Sequence, residues 1–273
     1  MNPKKWLGQQ FNHARLSWAG RFGEIRQPGK WVFIVGCYNS GTTLLHDVLA
    51  AAPDVAHLPR EGQYCTDQLL VPSTVGLARS WALHPELFTL GAGIEDAPDA
   101  ERLQRQWCSM ISAPERSIYL EKSIPNAARI PWLDANFPNA CFIGIVRSGY
   151  VVAEGIRRKA GRPLAQGARQ WAVSNEIMLR DLESVKFAQL VSYEDFTESP
   201  EQITRKLFRF LGLPAKQNTM QGNEWTIHGV QSSIRNMNKA SLQRLCTEDR
   251  KIIEAEAAEM LGRLGYLGTA DLF

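Results

Sequence analysis

Eight residues, GCYNSGTT from Gly36 to Thr43, have the composition and spacing of an anion-binding loop. Gly36 opens the loop and Gly41 closes it, with an apolar run before them and a helix-like pattern after them. A strand, a glycine-bounded loop and a helix start point successive backbone N–H groups at one centre, above the positive end of the helix dipole. The pattern therefore predicts a phosphate site. A plain glycine turn between a strand and a helix is the alternative interpretation.

Two positions distinguish this loop from that of enzymes that transfer the γ-phosphate of a nucleoside triphosphate. The spacing of Gly36 and Gly41 matches the pattern GxxxxGK[ST], but Thr42 stands where that pattern has its lysine. A later apolar run, residues 140–146, ends at Arg147 rather than at an acid that could help to hold Mg²⁺. An arginine at that point favours a second anion. We therefore expect a nucleotide site without metal-assisted phosphoryl transfer, and a P-loop kinase is the less favoured alternative.

Four segments in a fixed order resemble the sulfotransferases that use 3′-phosphoadenosine-5′-phosphosulfate (PAPS) as donor, including bacterial and Golgi-type members. The resemblance spans residues 31–265, nearly the whole chain. The segments are SGTTLL at 40–45, EKS at 121–123 with Asn126, FPNACFI at 137–143 leading to Arg147, and YEDF at 193–196 followed by Pro200 and FLGLP at 210–214.

This resemblance implies PAPS as sulfuryl donor, adenosine 3′,5′-bisphosphate (PAP) as product, and no required metal. It implies that Arg147 holds the 3′-phosphate and that the ring of Tyr193 lies near the adenine. A late basic residue completes the nucleotide site, and both Arg235 and Lys239 are candidates. The residues implied to hold the 5′-phosphosulfate are Asn39, Ser40, Gly41, Thr42 and Thr43.

Two further residues are candidates for the chemistry of sulfuryl transfer. An acceptor must lose a proton as its S–O bond forms, and a positioned carboxylate can take that proton. The resemblance implies Glu61 for this role, and His57 is an alternative base. Negative charge grows on the bridging oxygen of the departing nucleotide, where a fixed cation stabilises it. Lys122 is the candidate for that cation; a surface ion pair with Glu121 or Asp134 is the alternative.

Two cofactor positions depart from the pattern of the family. Asn39 stands where the family has lysine or arginine, and Gly155 stands where it has a serine that helps to hold the 3′-phosphate. Ser148 or backbone donors are the candidate replacements for that serine. The nearby basic residues, which either make the site electropositive or form an exposed helix end, are Arg157, Arg158, Lys159 and Arg162. A homologue that binds nucleotide but has lost turnover is therefore the second hypothesis for function.

The elements that must position these residues are those of a three-layer α/β domain with a P-loop-like phosphate-binding loop. Apolar runs predict the core strands of a mainly parallel sheet with right-handed crossovers; they lie near 31–36, 117–121, 140–146 and 187–193. We expect residues 1–273 to form a single domain, with 1–30 as a helical extension. Amphipathic helices are predicted for 65–83 and 99–111.

Composition limits which binding partners and which cellular compartment are expected. The net charge of +3 over 273 residues creates no field that demands nucleic acid. Five scattered cysteines without a CxxC pair argue against a disulfide framework and a zinc site, and they favour a reducing compartment. No segment resembles a secretory signal or a membrane span. We therefore expect a cytoplasmic enzyme whose acceptor is a small molecule, lipid or carbohydrate with a hydroxyl or amine; the oligomeric state stays open.

Overall fold

A parallel sheet forms the centre of the described chain. The computed structural model describes residues 14–95, 97–214, 225–227 and 230–269. Its main strands are β1 (Lys30–Gly36), β2 (Val55–His57), β3 (Ile118–Glu121), β4 (Ala140–Val146) and β5 (Ala188–Ser192). In the described part of the chain these five strands are ordered β2-β3-β1-β4-β5, and every neighbouring pair is parallel. The predicted mainly parallel sheet and its four core strands are confirmed.

Helices cover both faces of this sheet, which makes the predicted three layers. The chain is helical over residues 14–22, here α1. The other helices are α2 (Thr42–Ala50), α3 (Ala100–Cys108), α4 (Ile130–Asn136), α5 (Gly149–Ala160), α6 (Leu164–Glu183), α7 (Tyr193–Glu198), α8 (Pro200–Leu211), α9 (Asn238–Leu242) and α10 (Thr247–Arg263). Helices α2, α7 and α8 pack on one face, and α3 to α6 with α10 pack on the other.

The central strands are apolar throughout because helices cover them on both sides. In β1, Val32 and Ile34 belong to the core on the α2 face, whereas Trp31 and Phe33 belong to the core on the α6 face. All residues of β4 are buried. A short antiparallel hairpin, β6 (Trp225–Ile227) and β7 (Val230–Ser232), lies outside this sheet. Of the predicted N-terminal helical extension, residues 1–13 lie outside the described residues.

The helix predicted for residues 65–83 is wrong. This stretch contains short 3₁₀ turns instead, among them Pro72–Val75 and Trp81–Leu83. Gly76, with φ of 76°, ends the first turn in a left-handed conformation that an α-helix cannot continue. Side chains elsewhere hold the segment: Ala82 N–H, for example, donates to the Gln170 side-chain oxygen at 2.7 Å. The second predicted helix, within 99–111, is α3.

Candidate active site

One cavity collects almost all of the predicted site residues. Its volume is about 690 Å³, and it opens where β1, β3 and β4 end, the place at which parallel α/β sheets bind their ligands. Ser40 is the one predicted site residue that does not line it. The predicted residues that do line it are Asn39, Gly41, Thr42, Thr43, Glu61, Lys122, Arg147, Tyr193 and Arg235.

The phosphate loop has the backbone of an anion site. Gly41, at the N-terminus of α2, has φ of 97°, and a Cβ there would lie 2.7 Å from Tyr193 Cδ2. A Cβ on Gly36 would lie 2.7 Å from the carbonyl oxygen of Ile145. Glycine is therefore required at both positions. Ser40 is fully buried, and its Oγ has no hydrogen-bond partner in the described part of the chain.

At one end of the cavity, here the Glu61 end, the three residues Thr43, Glu61 and Lys122 meet. Lys122 Nζ lies 3.1 Å from Glu61 Oε1 and donates to Thr43 Oγ1 at 3.1 Å. The side chains of Lys122 and Glu61 are only 13% and 25% exposed. The expected alternative, an ion pair of Lys122 with Glu121 or Asp134, is not formed. One ammonium thus joins the phosphate loop to a carboxylate.

The loop that carries Glu61 is hydrogen-bonded to the end of β3 and to the residues directly after it. Gly62 N–H donates to Glu121 Oε1 at 2.8 Å, and Gln63 N–H donates to Ser123 Oγ at 3.0 Å. The Gln63 side-chain N–H donates to Glu61 Oε2 at 2.8 Å. Both carboxylate oxygens of Glu61 therefore have a donor, which holds the group towards Lys122.

Glu121 is a buried acid beneath the Glu61 loop whose place the sequence analysis does not predict. It is fully buried and accepts hydrogen bonds from Asn126 Nδ2 at 2.6 Å and from Ser123 Oγ. Burial raises the pKa of its carboxyl to about 7, against the opposing effect of the hydrogen bonds from Ser123 and Gly62. The available signal was its place in the EKS segment, directly before Lys122. The sequence pattern indicates only an ion pair with that lysine as its alternative role.

His57, the alternative candidate for the base, does not line the cavity. Its Nδ1 lies 2.9 Å from the carbonyl oxygen of Leu58, and its ring stands edge-on to that of His46, with 5.1 Å between centroids.

Another part of the cavity, here the Arg147 end, is lined by the cations Arg79, Arg147 and Lys159, and the charges of both arginines act on Lys159. Arg147 Nε donates to Asn238 Oδ1 at 2.8 Å, and its Nη1 donates to the carbonyl oxygen of Asn39 at 2.8 Å. Its guanidinium carbon lies 3.8 Å from the ring centroid of Tyr193. Burial lowers the pKa of Arg147, which is a measure of how strongly this cation is desolvated.

Tyr193 and Glu194 brace this end from the start of α7. The hydroxyl of Tyr193 donates to the carbonyl oxygen of Arg235 at 3.3 Å and accepts from Met237 N–H at 3.1 Å. Glu194 Oε1 accepts from Asn238 Nδ2 at 2.6 Å, and its Oε2 accepts from the hydroxyl of Tyr266 at 2.8 Å. The late chain is thereby tied beside Arg147. Residues 215–224, which precede Arg235 in the chain, lie outside the described residues.

The other candidate basic residues divide into two groups. Arg235, Arg158 and Lys159 line the cavity, whereas Lys239 and Arg162 do not. Arg157 is instead paired with Asp249 at 2.8 Å. Ser148, proposed as a substitute for the missing serine, does not line the cavity, and its N–H donates to Glu194. Arg79 lines the cavity as well, although no sequence pattern pointed to it.

Comparisons with known proteins agree with this architecture. The model of a sulfotransferase family matches residues 32–217, more than half of the chain. Protein-tyrosine sulfotransferase 1 of Danio rerio is 28% identical over 261 residues, covering 86% of this chain and 72% of its own. The sulfotransferase domain of the Synechococcus PCC 7002 olefin synthase shares the fold with a TM-score of 0.54 and 21% identity, covering 84% of this chain and 95% of its own. A sulfotransferase of Mycobacterium tuberculosis H37Rv also shares the fold, with a TM-score of 0.52 and 15% identity, covering 85% of this chain and 80% of its own.

The chain therefore belongs to the sulfotransferase family, the PAPS-dependent enzymes that transfer a sulfuryl group. The predicted fold and enzyme class are confirmed. In the part of the chain that the structure describes, no helix is long and apolar enough to cross a membrane. The cytoplasmic location and the single domain stay predictions.

Proposed function

We propose that this enzyme transfers the sulfuryl group of PAPS to a hydroxyl group of an acceptor bound beside Glu61. The observation that carries the proposal is the position of Lys122, whose Nζ lies 3.1 Å from both Glu61 Oε1 and Thr43 Oγ1. Sulfuryl transfer needs a group that takes the acceptor proton and a cation that meets the departing oxygen. Glu61 can take the proton and Lys122 can meet the departing oxygen. Lys122 also contacts Thr43 of the phosphate loop.

Each of these residues has a separate task in the reaction. Glu61 accepts the proton of the acceptor hydroxyl while the hydroxyl oxygen forms its bond to sulfur. Lys122 stabilises the negative charge on the bridging oxygen while the old S–O bond breaks. The loop from Asn39 to Thr43 holds the phosphate next to that oxygen through backbone N–H groups at the helix N-terminus. PAPS supplies the sulfuryl group, and PAP leaves with the bond electrons.

The residues around the cavity fit this donor. Asn39 lines the cavity, and its Nδ2 is a buried polar atom without a hydrogen-bond partner among the described residues, as expected for a group at a ligand site. Arg147 is assigned to the 3′-phosphate. Tyr193, whose ring contacts Arg147, is assigned to the adenine side of the nucleotide. Arg235 is chosen over Lys239 as the late basic contact, because it lines the cavity.

The acceptor is assigned only by class. We expect a hydroxyl, or an amine, of a small molecule, lipid or carbohydrate. The name of the Danio rerio relative adds tyrosine as an acceptor to be tested. The homologue without turnover is less favoured, because the pair of Glu61 and Lys122 is in place. A kinase is less favoured because Arg147 occupies the end of β4, where an acid would help to hold Mg²⁺.

Two measurements test the proposal. Titration calorimetry in EDTA should show binding of PAP, and ³⁵S-labelled PAPS should then transfer label to at least one member of an acceptor panel. The panel should contain sugars, hydroxylated lipids, phenols and tyrosine peptides. Binding of Mg-ATP with no binding of PAP would overturn the proposal in favour of a kinase. Binding of PAP without transfer to any acceptor would favour the homologue without turnover.

A further inference from the structure

Arg79 reaches the phosphate loop from a distant part of the chain. Its Nη1 donates to Asn39 Oδ1 at 3.2 Å, across 40 residues of sequence. Its guanidinium carbon lies 5.7 Å from the ring centroid of Tyr38, the residue before Asn39. Arg79 thus contacts two consecutive loop residues and lines the cavity that they share.

The backbone holds Arg79 in a strained conformation. Its φ is 58°, in the left-handed region that a residue with a Cβ adopts at a cost. The residues that follow are firmly anchored: Ser80 N–H donates to the carbonyl oxygen of Leu77 at 2.9 Å, and Trp81 is fully buried. Strain of this kind persists where the surrounding structure over-determines it, and it concentrates at ligand sites.

The side chain that Arg79 contacts fills the space left by a second departure from the family pattern. Asn39 Nδ2 lies 2.9 Å from the place where a Cβ on Gly155 would stand. This nitrogen is buried and has no hydrogen-bond partner among the described residues. The two departures, asparagine for a cation and glycine for serine, therefore lie against each other. Together they leave an unused donor beside Arg79.

The charges around Arg79 also favour the binding of an anion. Within the described ranges, no carboxylate lies within ion-pair distance of Arg79, Arg147 or Lys159; the buried Glu154 is paired with Arg158 at 3.1 Å. Burial lowers the pKa of Lys159, and the positive charges of Arg79 and Arg158 lower it further. Arg79, Arg147 and Lys159 thus line the cavity without a direct ion pair among the described residues.

We infer that Arg79, oriented by Asn39, binds the 3′-phosphate of the nucleotide. The assignment to the 3′-phosphate follows from the neighbours. Arg147 donates to the backbone of the same Asn39, and Gly155 occupies the position of the serine that the family uses for that phosphate. Thr43 and Lys122, which face the 5′ side, lie at the other end of the cavity. The inference rests on the proposed use of PAPS.

The test compares two nucleotides that differ only in the 3′-phosphate. Calorimetry should measure PAP and adenosine 5′-phosphate on the parent enzyme, on Arg79→Gln and on Arg79→Lys. We expect Arg79→Gln to weaken PAP binding by about 10- to 100-fold, the range for a hydrogen bond to a charged group. The affinity of Arg79→Gln for adenosine 5′-phosphate should stay at the parent value. The PAP affinity of Arg79→Lys should lie between those of the parent and Arg79→Gln. Arg205→Gln, which changes an exposed arginine outside the cavity, is the matched control and should bind PAP like the parent.

A second variant separates binding from folding. Glycine adopts a φ of this sign without strain, so Arg79→Gly should melt at or above the parent temperature and still lose PAP affinity as Arg79→Gln does. Full PAP affinity in either variant would overturn the inference. An equal loss for both nucleotides would also overturn it, by moving Arg79 to the 5′-phosphate. A parent enzyme that fails to bind PAP would instead reject the proposed function itself.

Discussion

The two ends of the cavity carry their charges in opposite ways. At the Glu61 end, an ammonium and a carboxylate lie 3.1 Å apart and neutralise each other. At the Arg147 end, Arg79, Arg147 and Lys159 have no carboxylate within ion-pair distance in the described chain. A neutralised pair is suited to a step in which a proton moves, whereas unneutralised cations are suited to holding an anion in place. Substitutions at the first end should therefore change rate, and substitutions at the second should change affinity.

The largest effect is expected for Glu61→Gln. The amide keeps the shape of the side chain but cannot take up the acceptor proton. The transfer rate at saturating donor should fall by about 10²- to 10⁴-fold, the usual contribution of a general base, and PAP affinity should change little. Rates from ³⁵S transfer and affinities from calorimetry check the two halves of this prediction.

A matched control makes that result specific. Glu86→Gln removes an exposed carboxylate outside the cavity and should leave both rate and affinity unaltered. A Glu61→Gln enzyme that transfers sulfate at the parent rate would end the candidacy of Glu61. A Glu61→Gln enzyme that lost PAP affinity but kept the parent rate would contradict the expectation that the Glu61 end controls rate and the Arg147 end controls affinity.

A smaller effect, and on affinity, is expected for Arg147→Ala. Loss of hydrogen bonds to a charged group should weaken PAP binding by about 1.5–3 kcal/mol, roughly 10- to 100-fold in Kd. Calorimetry measures this, with the exposed Arg205→Ala as control. Because Arg147 also packs on Tyr193, Arg147→Met should be measured beside it to keep the apolar contact. Parent affinity in both variants would show that the 3′-phosphate lies elsewhere.

A last prediction concerns stability rather than rate or affinity, at the support beneath the Glu61 end. Burial raises the pKa of Glu121 from 4.5 to about 7, so in that window the folded protein holds a proton that the unfolded chain has released. The stabilisation is fully present below the ordinary pKa and is lost as pH rises towards 7. The slope contributed by one such group is at most about 1.4 kcal/mol per pH unit. Glu121→Gln should remove this contribution from the free energy of unfolding.

Urea denaturation at several pH values between the ordinary and the raised pKa checks this prediction. The two proteins share every other titrating group, so only the difference between their curves is informative. Parallel curves for the parent and Glu121→Gln would mean that Glu121 is ionised in the folded state throughout.

Much of the fold was predictable because it depends on local patterns. The apolar runs of β1 and β4 are buried on both faces, and such strands need no long-range information to be recognised. The phosphate loop was predictable from the spacing of Gly36 and Gly41, although the contacts that require glycine there come from the distant Ile145 and Tyr193. The resemblance then added Glu61, Lys122 and Arg147, whose side chains meet only in the folded chain.

The segment between Gly62 and Phe88 was not predictable, because distant residues hold it. Its apolar residues fit a helix, but contacts such as that of Ala82 with Gln170 fix short turns instead. Arg79 lies in this segment, and nothing in its local sequence brings it to Asn39. For Glu121 the motif was recognised, but not that the carboxyl is fully buried beneath Gly62.

The contact between Asn39 and Gly155 couples these two positions to Arg79. Asn39 Nδ2 occupies space that a side chain at position 155 would enter, since a Cβ there would lie 2.9 Å away. Because this nitrogen is the far end of a short, rotatable side chain, a serine at 155 would displace it. A substitution at position 155 should therefore first change the orientation of Asn39, and through it that of Arg79, whose Nη1 donates to Asn39 Oδ1.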